Sequence, residues 1–141
     1  MKPIRRQKSA YPPIDTLSNT ATLLATYGIV APELVGSWIT CGISAAETAF
    51  CWGGNSYGQI GNGTTQDSYY PVQVLGEGGA GGLRGLVGIT TGTVYSSCAV
   101  SASGHAYSWG AGMLERLGDN SSLNSTAPVA VVNSSGEGNL S

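Results

Sequence analysis

Trp52-Gly53-Gly54-Asn55-Ser56-Tyr57-Gly58-Gln59-Ile60-Gly61-Asn62-Gly63, followed by Pro71-Val72-Gln73-Val74, decides the fold because its framework occurs twice. At an offset of 57 residues, Trp109-Gly110, Gly118, Pro128, Val129 and Val131 fall on Trp52-Gly53, Gly61, Pro71, Val72 and Val74. The register runs without a gap from Gly28/Gly85 through Cys41/Cys98 to Leu83/Leu140. Two units therefore fill residues 28–84 and 85–141, behind an N-terminal stretch of residues 1–27. A repeat that cannot bury its own apolar face must stack on its neighbours, and two copies are fewer than such architectures use. What completes the fold is the question the repeat raises.

Around this stretch each unit reads as short strands. Residues 37–44 and 48–52 flank the turn Ala45-Ala46-Glu47, and residues 95–101 and 105–109 flank Ala102-Ser103-Gly104, with β-branched and aromatic enrichment on both arms. A polar, Gly-rich loop follows. Then comes a strand opened by proline, Pro71 to Leu75 and Pro128 to Val132, where no ladder donor is needed. Gly28 to Ala31 and Leu86 to Thr90 supply a further strand ahead of each hairpin. Four antiparallel strands at this period are the pattern of a propeller blade, so the expected class is all-β. Tyr11-Pro12-Pro13-Ile14 echoes Tyr70-Pro71-Val72 with a one-residue shift, as the end of a preceding blade would.

Composition agrees. Charged residues are 10% of the 141, against about 25% in ordinary domains, and 22 glycines disfavour long helices. Three Trp and seven Tyr supply apolar area for a core. Lys2, Arg5, Arg6 and Lys8 form a basic tail; beyond them two basic residues, Arg84 and Arg116, face eight acidic ones. No stripe could neutralise a phosphate backbone, so nucleic-acid binding is not expected. Residues 21–31 are too short and too polar to span a membrane, and no clear signal-peptide cleavage site follows them.

Trp52-Gly53, Asn55, Gly58-Gln59-Ile60-Gly61 and Pro71 with its alternating valines resemble the regulator of chromosome condensation repeat family. The second copy departs from that pattern: Gly112 stands for Asn55, Glu115 for Gly58, Arg116 for Gln59 and Asn120 for Gly63. The resemblance implies blades of a seven-bladed β-propeller, in a family whose members act mainly as interaction surfaces and some as nucleotide exchange factors for small GTPases. It also implies roles by position. Trp52, Gly53, Gly61, Pro71, Trp109, Gly110, Gly118 and Pro128 become the structural framework, with the tryptophans packed between blades.

Cys41 and Cys51 lie five residues either side of Ala46 on opposite hairpin arms, so they can face each other, and the resemblance supports a cross-strand disulfide. Reduced, buried thiols are the alternative. In the second copy Ser108 takes the partner's place and leaves Cys98 as a buried thiol. Cys41, Cys51, Cys98 and His105 have no metal-ligand spacing, and the single histidine has no acid or nucleophile near it in sequence. No catalytic, metal or cofactor site is therefore expected. Gly76-Glu77-Gly78-Gly79-Ala80-Gly81 fits a dinucleotide-loop pattern but lacks the helix that would face a pyrophosphate, so it reads as a linker.

The expected function is a non-enzymatic protein-interaction module, with Asn55, Tyr57, Gln59, Tyr69 and Tyr70 as the contact loop. Its expected partners are another protein, further blades, or a second copy of itself through the wet apolar faces of a two-blade stack. The compartment is not named by the sequence; the reading leans towards an extracellular or cell-surface setting, with no clear signal peptide. The other readings are part of a guanine-nucleotide exchange factor, for which no long wedge loop is present, and a truncated frame without activity of its own.

Overall fold

The computed structural model describes residues 29–36, 39–92 and 95–140. The basic tail and the Tyr11-Pro12 echo lie outside them. Strands β1 (Ile29–Gly36), β2 (Ile39–Ser44), β3 (Ala49–Gly53) and β4 (Ser68–Gln73) form one sheet in the order β1-β2-β3-β4. Strands β5 (Leu86–Thr91), β6 (Ser96–Ser101), β7 (Ala106–Gly110) and β8 (Ser125–Ala130) form a second in the order β5-β6-β7-β8. All neighbours are antiparallel, so each sheet is a meander and each repeat is one blade. Among the described residues no helix is long and apolar enough to cross a membrane.

The hairpins follow the expected arms. β2 pairs with β3 through Thr40 opposite Trp52 and Cys41 opposite Cys51; β6 pairs with β7 through Ser97 opposite Trp109 and Cys98 opposite Ser108. Glu47 in the first turn has φ 60, the left-handed region that Gly104 occupies at the same place in the second turn. The Ser44 hydroxyl steadies that turn by accepting from the Ala46 and Thr48 amides.

The proline strands differ from expectation. β4 starts at Ser68, so Pro71 lies within it. Val72 pairs with Cys51 and Ser68 with Gly53, which leaves residues 69–71 opposite Trp52 alone. Pro71 thus sits in a bulge of an edge strand, where a missing amide costs no ladder bond. Pro128 sits in the matching bulge of β8.

The pleat sorts side chains by face. Ile39, Cys41, Ile43, Ala49 and Cys51 point from the first blade into a shared core with Leu86, Ile89, Ala99 and Trp109 of the second. The disulfide Cys41–Cys51 lies in this interface, with its Cα atoms 4.1 Å apart. On the second blade the counterpart positions, Cys98, Val100 and Ala106, line an open apolar cavity of about 220 Å³.

Candidate functional site

The site is the loop from Asn55 to Gly63 and the surface that receives it. Asn55 is fully buried, and its side chain organises the loop. Its Nδ2 donates to the Thr64 and Gln66 carbonyls, each at 2.9 Å, and its Oδ1 accepts from the Ile60 amide at 2.8 Å. Its own amide donates to Asp67 Oδ1 at 2.9 Å. One side chain thus satisfies three backbone groups that the loop would otherwise leave unpaired. Gln59 is also buried; its Oε1 accepts from the Tyr57 amide. The expectation that Asn55 and Gln59 offer contact surface is therefore corrected: their polar atoms are turned inward to close the loop.

The closed loop is seated on the second blade. The Gln59 carbonyl accepts from Trp109 Nε1 at 2.8 Å and from the Ser97 hydroxyl at 2.9 Å, both buried. The Gly63 amide donates to the Thr126 carbonyl at 2.9 Å. Glycine is required by contact: a Cβ on Gly61 would lie 2.7 Å from Trp109 Nε1, and one on Gly58 would lie 2.8 Å from Thr126 Cα. The motif that recurs in the sequence is the fastener between blades. Trp52, Gly53, Gly61, Pro71, Trp109, Gly110 and Pro128 are buried, and Gly118 is half-buried.

The tyrosines are placed differently. Tyr57 stacks on Tyr95 with ring centroids 4.8 Å apart, bridging the first blade's loop and the start of β6. Tyr69 and Tyr70 are each 50% exposed on edge strand β4 and meet edge to face at 6.4 Å. Their counterparts on β8 are Thr126 and Ala127, of which Thr126 bonds the first blade's loop. Tyr69 and Tyr70 therefore stand exposed at the edge-strand position that, on the second blade, receives the preceding blade's loop.

The second loop keeps only part of this construction. The Gly112 amide donates to Asn124 Oδ1 at 3.0 Å, as Asn55 does to Asp67, but Gly112 has no amide side chain to fasten the rest. Leu114 and Glu115 are both left-handed, with φ 60 and 56, and Leu114 is 88% exposed. Met113 and Leu123 in the same loop are exposed as well, Leu123 at 74%. Sequence reading overlooked Leu114 because a lone leucine in a polar loop carries no periodicity, and its left-handed backbone does not follow from its neighbours.

Burial pushes the Cys98 thiol above its ordinary value, so it is a poor nucleophile. The amide of His105 is tied to the Ser101 hydroxyl. Gly76 to Gly82 closes a small hairpin, with Leu75 bridged to Gly82, and no helix follows it to face a phosphate. Among the described residues no group of three or more His, Cys, Asp or Glu could hold a metal.

The model of the regulator of chromosome condensation (RCC1) repeat matches residues 48–98. This segment is similar to an RCC1 repeat. It begins at Thr48, ahead of β3, and ends at Cys98 in β6. The RCC1 unit thus contains both the loop and part of the blade on which the loop sits. The human E3 ubiquitin-protein ligase HERC2 is 31% identical over 86 residues, as is its mouse counterpart, covering 59% of this chain and 2% of the ligase. Among solved structures, Prp20p from Saccharomyces cerevisiae, described with its binding properties to Gsp1p and histones, superposes with a TM-score of 0.61 at 17% identity. Human WBSCR16 superposes with a TM-score of 0.58 at 22% identity. Each covers 76% of this chain, which spans 26% and 25% of those chains respectively. At these identities the likeness establishes the fold, two RCC1-type propeller blades.

Proposed function

We propose that the chain is a non-enzymatic protein-interaction module whose contact surface is the loop end of the blades. Leu114 carries this reading. A leucine that is left-handed and 88% exposed is unfavourable in both backbone and solvation, and such outliers point to a functional site. Met113 and Leu123 of the same loop, and the Tyr57–Tyr95 stack on the preceding loop, add apolar and stiff aromatic contact area. The loop has a single basic residue, Arg116, set between Glu115 and Asp119, which supports a protein partner over a nucleic acid.

The test is quantitative affinity capture with the wild-type chain and with Leu114→Ser and Leu123→Ser variants of unchanged melting temperature. A partner held by the wild type and lost by both variants supports the reading. Equal retention by all three contradicts it. Exchange activity on a small GTPase is the second reading, favoured by the resemblance to a Gsp1p-binding propeller. The module reading expects nucleotide release at the spontaneous rate in the chain's presence.

A further inference from the structure

Asn62 is the only asparagine of the chain that a glycine follows; the second loop has Asp119-Asn120 at the place of Asn62-Gly63. An asparagine so placed can modify itself. The next residue's amide nitrogen attacks the side-chain carbonyl carbon, and a glycine, having no Cβ, leaves that approach open. Two features of the structure act on this reaction in opposite directions. Asn62 Oδ1 accepts from the Thr64 hydroxyl at 2.9 Å, from the Thr64 amide at 3.2 Å and from Asn55 Nδ2 at 3.5 Å. Donors gathered on that oxygen stabilise the negative charge that attack at Cγ would place there. The nucleophile, however, is withheld. The Gly63 amide donates to the Thr126 carbonyl of the second blade at 2.9 Å, which keeps its proton and its position fixed while the blades are docked. Asn62 is half-buried and Gly63 exposed, so water reaches the pair.

We propose that Asn62-Gly63 is a self-modification site gated by the blade junction: it deamidates when the loop leaves the second blade, and its product keeps the loop from returning. Once the bond to Thr126 is broken, hydroxide takes the Gly63 amide proton and the nitrogen bonds to Asn62 Cγ. The Cγ–Nδ2 bond breaks, and Nδ2 leaves as ammonia with a proton from water. Water then opens the succinimide ring at either carbonyl, so an amide and water become a carboxylic acid and ammonia with nothing oxidised or reduced. Opening at the side-chain carbonyl gives aspartate, which the turn accepts: Asp119 Oδ1 takes the Ser121 amide at 3.2 Å, as Asn62 Oδ1 takes that of Thr64. Opening at the main-chain carbonyl gives isoaspartate, whose main chain runs through Cβ and Cγ. That added methylene moves Gly63 off Thr126 and distorts the loop that seats Gln59 on Trp109. The site makes no use of Leu114 or Leu123, so its fate is separate from that of the proposed contact surface.

The experiment incubates the full chain at mildly alkaline pH, maps isoaspartate at Asn62 by peptide mass spectrometry, and follows exchange of the Gly63 amide by ¹⁵N NMR. The folded chain is expected to form isoaspartate at least about 10-fold more slowly than the same chain unfolded in guanidinium chloride. Trp109→Phe and the milder Ser97→Ala each remove one donor from the Gln59 carbonyl and leave the reacting pair untouched. Assayed well below its melting temperature, each variant should raise the isoaspartate rate by the factor by which it raises Gly63 exchange. Wild-type chain that carries isoaspartate, separated by its added negative charge, should exchange the Trp109 Nε1–H at least about 10-fold faster than unreacted chain. Equal isoaspartate rates in the folded and unfolded wild type would overturn the proposal. So would faster Gly63 exchange in a folded variant without more isoaspartate, or no change in either rate, since the seat would then not control the amide. Unchanged Trp109 exchange in the isoaspartate-bearing chain would overturn the claim that the product keeps the loop off the second blade.

Discussion

Trp109 and Gln59 are joined across the two blades by a 2.8 Å hydrogen bond from the indole Nε1 to the backbone carbonyl. The bond is buried, and it ties a side chain of the second blade to a loop of the first. Trp109→Phe should therefore destabilise the chain by about 2–3 kcal/mol, from the lost bond and the cavity together. Trp52→Phe removes a donor that has no acceptor and should cost about 1 kcal/mol less. Urea unfolding of both variants checks the order.

Asn55 is the second test, because three of its side-chain bonds go to loop backbone. Asn55→Ala should cost about 2–3 kcal/mol. Asn55→Asp should cost more despite its closer shape, since a carboxylate would face the Thr64 and Gln66 carbonyls with no proton to donate. Lowering the pH should recover part of the Asp loss, because only the protonated acid can donate to a carbonyl. Thermal melts from neutral to acidic pH measure this.

Glycine substitutions should behave oppositely in the two loops. Gly61→Val places atoms against the Trp109 indole and should cost roughly 3 kcal/mol or more. Glu115→Gly relieves a left-handed glutamate at the place Gly58 holds in the first loop, and should stabilise by up to about 1 kcal/mol. Equal and opposite melting shifts are not expected; a loss for Glu115→Gly would contradict the strain argument.

The cysteines give a chemical test. Reducing Cys41–Cys51, which closes a loop of sequence separation 10, should lower stability by about 2–3 kcal/mol in the chain-entropy picture. Ser108→Cys should form the matching bond with Cys98, directly opposite it. Its gain should be smaller, by about 1 kcal/mol, because the Ser108 hydroxyl already donates to the Leu117 carbonyl. In the wild-type chain Cys98 should label slowly with thiol reagents, with the midpoint of its pH–rate profile displaced upward by burial.

The strands were legible because alternation and turn residues are local. Thr40 to Trp52 reads as a hairpin in any context, and the 57-residue register repeats it. Asn55 and Gln59 were misread for a physical reason. A polar residue in a polar loop looks exposed, and its role emerges only when the loop backbone folds around it and leaves amides to satisfy. One signal was present: the second loop, with Gly112 and Arg116 at these places, departs from the pattern as a whole. Leu114 was illegible, since neither its backbone angle nor its exposure follows from neighbours in sequence. Pro71 was read correctly as a strand residue and placed wrongly, because the bulge that admits it depends on pairing with β3.

The central claim is that the Asn55–Gly63 loop is an inter-blade fastener whose carbonyl at Gln59 is held by Trp109. A double-mutant cycle between Asn55→Ala and Trp109→Phe tests it most directly, because Asn55 and Trp109 are linked only through the shape of the loop. The account predicts a coupling energy of at least about 1 kcal/mol, the loop having lost its seat once Asn55 is gone. Additivity to within about 0.3–0.5 kcal/mol would mean that the two residues act independently, and would contradict it.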